Sequence, residues 1–142
     1  MFGKSKKRSA YSTTVISEGT EIIGDLKFLG HLEIEGTVRG NISTGDKDDG
    51  FVRILGKGRV EGEINAPAVV INGTIVGDVY SSKHLELAEN AEVNGDVHYA
   101  VIEMAKGSHV NGSLVYEDGA SKKRLDSTKV ASIADVKVEV NS

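Results

Sequence analysis

Apolar and polar positions along this chain form one phrase that recurs six times: apolar, any residue, Gly, a small polar or acidic residue, apolar. The copies run from Ile22 to Leu26, Val38 to Ile42, Val60 to Ile64, Ile75 to Val79, Val93 to Val97 and Val110 to Leu114. Their centres are Gly24, Gly40, Gly62, Gly77, Gly95 and Gly112. Successive glycines lie 16, 22, 15, 18 and 17 residues apart. Recurrence at a near-fixed period means one small unit stacked on itself. The β-branched flanks of each phrase favour strands, and the Gly permits a bend that a side chain would obstruct. Each repeat also carries a second alternating segment: Leu32-Glu33-Ile34, Val52-Arg53-Ile54, Val69-Val70-Ile71, Leu85-Glu86-Leu87 and Ile102-Glu103-Met104. Alternation places the apolar members on one face and the charged ones on the other. A further small residue precedes most phrases, at Gly36, Gly58, Gly73, Ala91 and Gly107.

One repeat therefore holds about three strands of two to four residues joined by bends. No window keeps apolar residues at helical spacing for three turns. A flat meander or sandwich would need longer strands and would not repeat one turn at one spacing. The pattern predicts an all-β, single-domain solenoid of about six coils, which at about 4.8 Å per coil is a rod roughly 29 Å long. The spacing of 22 assigns its extra residues to a loop, Thr44–Gly50, expelled from the second coil. The expected division is an N-terminal tail over 1–13, the solenoid over 14–118 and a flexible, Ser-, Lys- and Asp-rich tail over 119–142.

Composition narrows the function classes. Aromatic residues make up 5% of the chain, so Val, Ile and Leu must build the core. There is no Cys, which removes disulfides, thiolate catalysis and Cys-bound metal and suits a reducing cytoplasm. The longest strictly apolar stretch, Ala66 to Ile71, is far too short to span a bilayer, and the N-terminal residues show no secretory signal region. The net charge of −4 hides an asymmetry: residues 1–10 carry four bases and no acid, whereas residues 11–120 carry 8 bases against 18 acids. An acidic body argues against nucleic acid lying along the core.

The basic start offers a membrane contact. Met1 and Phe2 supply apolar surface, and Lys4, Lys6, Lys7 and Arg8 supply cations for anionic lipid. Burying Phe and placing four bases near an anionic surface gives about 6 kcal/mol before ordering costs. One copy binds weakly on that figure, whereas many copies on one polymer are held by avidity.

A solenoid's first and last coils expose strand edges and an apolar cross-section. Neither 1–14 nor 117–142 reads as an amphipathic capping helix. The first coil opens on Val15 and Ile16 and the last closes on Leu114, Val115 and Tyr116, all apolar. Uncapped rods of this kind stack end to end. If head meets head and tail meets tail, each joint is two-fold and the filament has no polarity.

Those six phrases, the single solenoid core, the tails and the start Met1, Phe2, Lys4, Lys6 resemble the bactofilins, bacterial polymer-forming cytoskeletal proteins. The resemblance covers roughly residues 1–116. It implies a right-handed β-helix that polymerises without nucleotide into non-polar filaments at the inner face of the cytoplasmic membrane. It further implies a scaffold for cell-wall synthases or hydrolases, and membrane targeting through Met1, Phe2, Lys4 and Lys6. Family members often carry an important Phe in the last coil; this chain has none after Phe51, with Tyr116 or Tyr99 as the available substitutes.

Chemistry elsewhere is sparse. His31, His84, His98 and His109 read as solvated turn residues. The Asp46–Gly50 segment lacks the Gly register and closing Glu of a calcium loop. No phosphate-cradling Gly-rich motif occurs. Glu33, Glu35, Glu61, Glu63 and Glu86 read as outward strand positions rather than an acid/base pair. No catalytic residue, metal site or cofactor is expected. The enzymatic alternative is an acyltransferase built on a left-handed β-helix, whose strict six-residue repeat and His-bearing loop this chain lacks.

Overall fold

A computed structural model describes residues 13–44 and 49–117, and within them every regular element is a β-strand. The first coil holds β1 (Thr13–Ile16), β2 (Glu21–Ile23) and β3 (Leu26–Phe28), and the second holds β4 (His31–Ile34), β5 (Thr37–Arg39) and β6 (Ile42–Thr44). The third contains β7 (Phe51–Ile54), β8 (Arg59–Glu61) and the start of β9 (Ile64–Ile71). The rest of β9, β10 (Thr74–Val76) and the start of β11 (Val79–Leu87) make the fourth. The fifth takes the rest of β11, β12 (Glu92–Asn94) and β13 (Val97–Tyr99), and the sixth β14 (Ile102–Met104), β15 (His109–Asn111) and β16 (Leu114–Tyr116).

Every strand pairs in parallel with its counterpart one coil away. β2, β5, β8, β10, β12 and β15 form one face as a separate sheet, and the other two faces merge into one sheet through β9 and β11. The expected solenoid of about six coils is therefore the fold, and its strands are parallel. The merging has a local cause. The third coil passes between these two faces through Pro67 alone, with no room for a bend, so the strand runs through the corner. At the next corner Ser81 is buried, and its hydroxyl proton is shared between the carbonyls of Pro67 (3.0 Å) and His84 (2.9 Å).

The registers stack the inward residues into columns. One runs Ile16, Ile34, Ile54, Ile71, Leu87, Met104. A second runs Ile22, Val38, Val60, Ile75, Val93, Val110. A third runs Leu26, Ile42, Ile64, Val79, Val97, Leu114. Their middle members are fully buried, and each such side chain contributes about 1.5–3 kcal/mol.

The Gly phrase marks the one corner whose length never changes. Every coil places the same three residues between its inward positions there, from Ile22 to Leu26 through to Val110 to Leu114, and all variation in repeat length falls at the other two corners. Close approach explains the constancy. A β-carbon on Gly40, Gly62, Gly77, Gly95 or Gly112 would overlap the carbonyl oxygen of the preceding Gly in the same column. The residue after each Gly then ties the coils together. Asp25 Oδ1 accepts from the N–H of Asn41 (2.9 Å), Asn41 Oδ1 from Glu63 (2.9 Å), Asp78 Oδ1 from Asp96 (2.9 Å) and Asp96 Oδ1 from Ser113 (3.0 Å). Glu63 interrupts the ladder, because its side chain is one methylene too long for this geometry.

Three readings of the sequence need correction. The four His residues lie in strands β4, β11, β13 and β15, not in turns. Glu35 occupies a bend and Glu63 lies between strands, whereas Glu33, Glu61 and Glu86 do lie on strands. Gly107 is not the counterpart of Gly36, Gly58, Gly73 and Ala91, since pairing of Glu92 with His109 gives that place to Ser108.

Candidate interaction surfaces at the ends of the solenoid

The ends are where the ladder stops. Among the described residues β1, β2 and β3 pair only toward the second coil, and β14, β15 and β16 only toward the fifth. Among the described residues no element covers either end. Within the described residues each end thus presents three strand edges without a further strand beside them and the terminal members of the inward columns.

At the N-terminal end Ile16 is an inward residue and is buried (5% exposed), while Val15 points outward from the face and is half exposed. Phe28 closes the corner at 9% exposure, and Ile22 and Leu26 are half-buried. At the C-terminal end Leu114 and Tyr116 are both inward positions left open, at 46% and 62% exposure. Val115 faces outward, paired with His98. Of the five residues expected at the ends, Ile16, Leu114 and Tyr116 therefore lie on the cross-sections, and Val15 and Val115 on their rims. Met104, at 45% exposure, with half-buried Ile102 and Val110 completes the C-terminal cross-section. Extending each inward column to its last member would have found these three.

Aromatic contacts gather near the C-terminal end. Tyr99 and Tyr116, in register on adjacent coils, meet edge to face at 6.0 Å. On the outer side of the same face Tyr80 stacks on His98 (4.3 Å, 11°), and His98 Nδ1 lies 2.9 Å from Glu117 Oε2. Burial, followed by the charges of Glu63 and Asp78, raises the Tyr80 phenol above its ordinary value of 10.0. On the sheet of β2, Arg39 lies between Glu21 (3.0 Å) and Glu61 (3.7 Å), and Arg59 Nε donates to Glu61 (2.8 Å). The Arg59 hydrogen bond leads in holding the Glu61 carboxyl below 4.5. His84, Glu86 and Glu103 group on the face of β1, β4 and β7 with their ligand atoms within 4.8 Å of one another, and His84 Nε2 lies 3.9 Å from Glu103.

Comparison with known proteins decides the family. The bactofilin family model, described as polymer-forming cytoskeletal, matches residues 14–115. This chain belongs to the bactofilin family. Bactofilin BacO of Myxococcus xanthus (strain DK1622) is 31% identical over 109 residues, covering 77% of this chain and 83% of the relative. No solved structure matches this bactofilin significantly. Self-association is thus a property of its family. Among those residues no helix is long and apolar enough to cross a membrane. The expected lipid-binding residues, Met1, Phe2, Lys4, Lys6, Lys7 and Arg8, and the expelled-loop residues 45–48 lie outside the described residues.

Proposed function

We propose that this bactofilin is a cytoskeletal scaffold that stacks end to end, without nucleotide, into non-polar filaments. Its basic N-terminus tethers the polymer to the inner face of the cytoplasmic membrane, and its tails and acidic flanks recruit cell-wall synthases or hydrolases. The observation that carries this reading is the pair of open strand edges, one at each end of a rigid rod, in a polymer-forming family.

Membrane tethering rests on the sequence of residues 1–8, and client recruitment rests on the family resemblance.

The test is a charge on the C-terminal cross-section. Leu114→Glu should leave the β-sheet circular dichroism unchanged and abolish sedimentable polymer. A variant that pellets like the unaltered protein would sink the end-contact reading.

A further inference from the structure

The two ends are made from the same columns but are not equally finished. In three columns the N-terminal member is better hidden than its C-terminal counterpart. Ile16 is 5% exposed against 45% for Met104, and Phe28 9% against 62% for Tyr116. Leu26 is half-buried against 46% exposure for Leu114. In the column of Ile22 and Val110 the ends are alike, both half-buried. The remaining column starts on polar, exposed Thr14 and ends on apolar Ile102. Val15 and Ile23, the exposed apolar residues of β1 and β2, point outward and would rim a joint rather than fill it.

Apolar area removed from water drives association. Interface cores are rich in Tyr and Met, and a few such anchors carry most of the binding energy. Met adapts to an imperfect fit, and the edge contact with Tyr99 holds the Tyr116 ring in place. The C-terminal cross-section has these properties. The N-terminal one offers mainly backbone edges, with little apolar area still to bury.

We infer that the two joints of the filament are unequal: C-terminal ends join first and tightest, so the elementary unit is a tail-to-tail dimer, and N-terminal ends link these dimers through a weaker contact. The occupant of the C-terminal face is a second copy of the same face. This inference rests on the non-polar, end-to-end reading proposed above.

Mass photometry of the full chain on serial dilution tests it. The unaltered protein should pass from filaments to a dimer plateau, with monomers appearing only at concentrations at least about tenfold lower, a gap of about 1.4 kcal/mol between the joints. Leu114→Glu and Tyr116→Arg should each erase the plateau and leave monomers at the concentrations where it stood. The second alters a side chain that is mostly exposed already, so its fold is the safer, and unchanged circular dichroism confirms it. Filaments falling directly to monomers would overturn the inference. So would a dimer that survives in Tyr116→Arg at the concentrations of the plateau, which would make the N-terminal joint the stronger. Absence of filaments from the unaltered protein at any concentration would instead overturn the reading on which the inference rests.

Discussion

Three single substitutions separate the two reasons for glycine at the constant corner. At Gly24 the backbone has φ of 132°, but an added β-carbon would meet nothing within 4 Å, because no coil precedes it among the described residues. At Gly40 the φ is not positive, yet the β-carbon would overlap the carbonyl group of Gly24. At Gly77 both conditions hold, with φ of 146° and the carbonyl of Gly62 in the way. A non-Gly residue in such a backbone conformation costs about 1–3 kcal/mol, which is the whole expected cost of Gly24→Ala. Forcing an extra methyl against backbone that cannot swing aside costs about 1–3 kcal/mol, which is the expected cost of Gly40→Ala. Gly77→Ala should lose about the sum, roughly 2–6 kcal/mol. That is a large share of the 5–15 kcal/mol typical of a folded domain.

The assay is urea unfolding followed by circular dichroism. It is done in the Tyr116→Arg background so that polymerisation does not add concentration-dependent stability. Equal slopes across the series would confirm that only stability changed. If Gly24→Ala proved as costly as Gly77→Ala, or Gly40→Ala proved neutral, the close approach of coils would not be what selects glycine.

Other outcomes follow from the same geometry. Ser81→Ala should cost about 1–3 kcal/mol in the same urea assay, because two carbonyls at a buried corner lose their donor; a neutral result would mean that the corner relaxes freely. The raised Tyr80 phenol favours the neutral form in the fold, so its contribution to stability is full below pH 10 and lost as pH rises through the higher folded value. The phenolate absorbance of the unaltered protein minus that of Tyr80→Phe should therefore show its transition above pH 10, and a transition at or below it would contradict the burial argument. Deleting residues 1–8 should release filaments from anionic liposomes in a flotation assay without dissolving them; continued flotation would place the lipid contact elsewhere.

The coil count, the parallel stacking and the inward columns were legible because one corner repeats without variation. Close approach of the coils favours Gly in five copies and a positive φ favours it at Gly24, so the phrase recurs in all six. The other two corners left no such mark. Pro67 sits in a stretch that reads only as apolar, and nothing in Ala66–Ile71 announces that two strands have fused there. The role of Ser81 was hidden too, since a lone Ser between strands has no pattern to distinguish it. His98 reads as a solvated residue until the register sets it between Tyr80 and Val115, one coil from each. The ends were legible in kind but not in degree. Apolar residues at both termini of the core are visible in the sequence, whereas the burial of Phe28 and the exposure of Tyr116, at equivalent places in the coil, depend on which side each coil leaves open.

The central claim is that this rod polymerises by itself through its ends. Negative-stain electron microscopy of the purified protein, without nucleotide or metal, tests it most directly. Long unbranched filaments a single rod in width are the predicted result. Discrete monomers or trimers at every salt concentration would mean that the ends are closed, and would contradict the account.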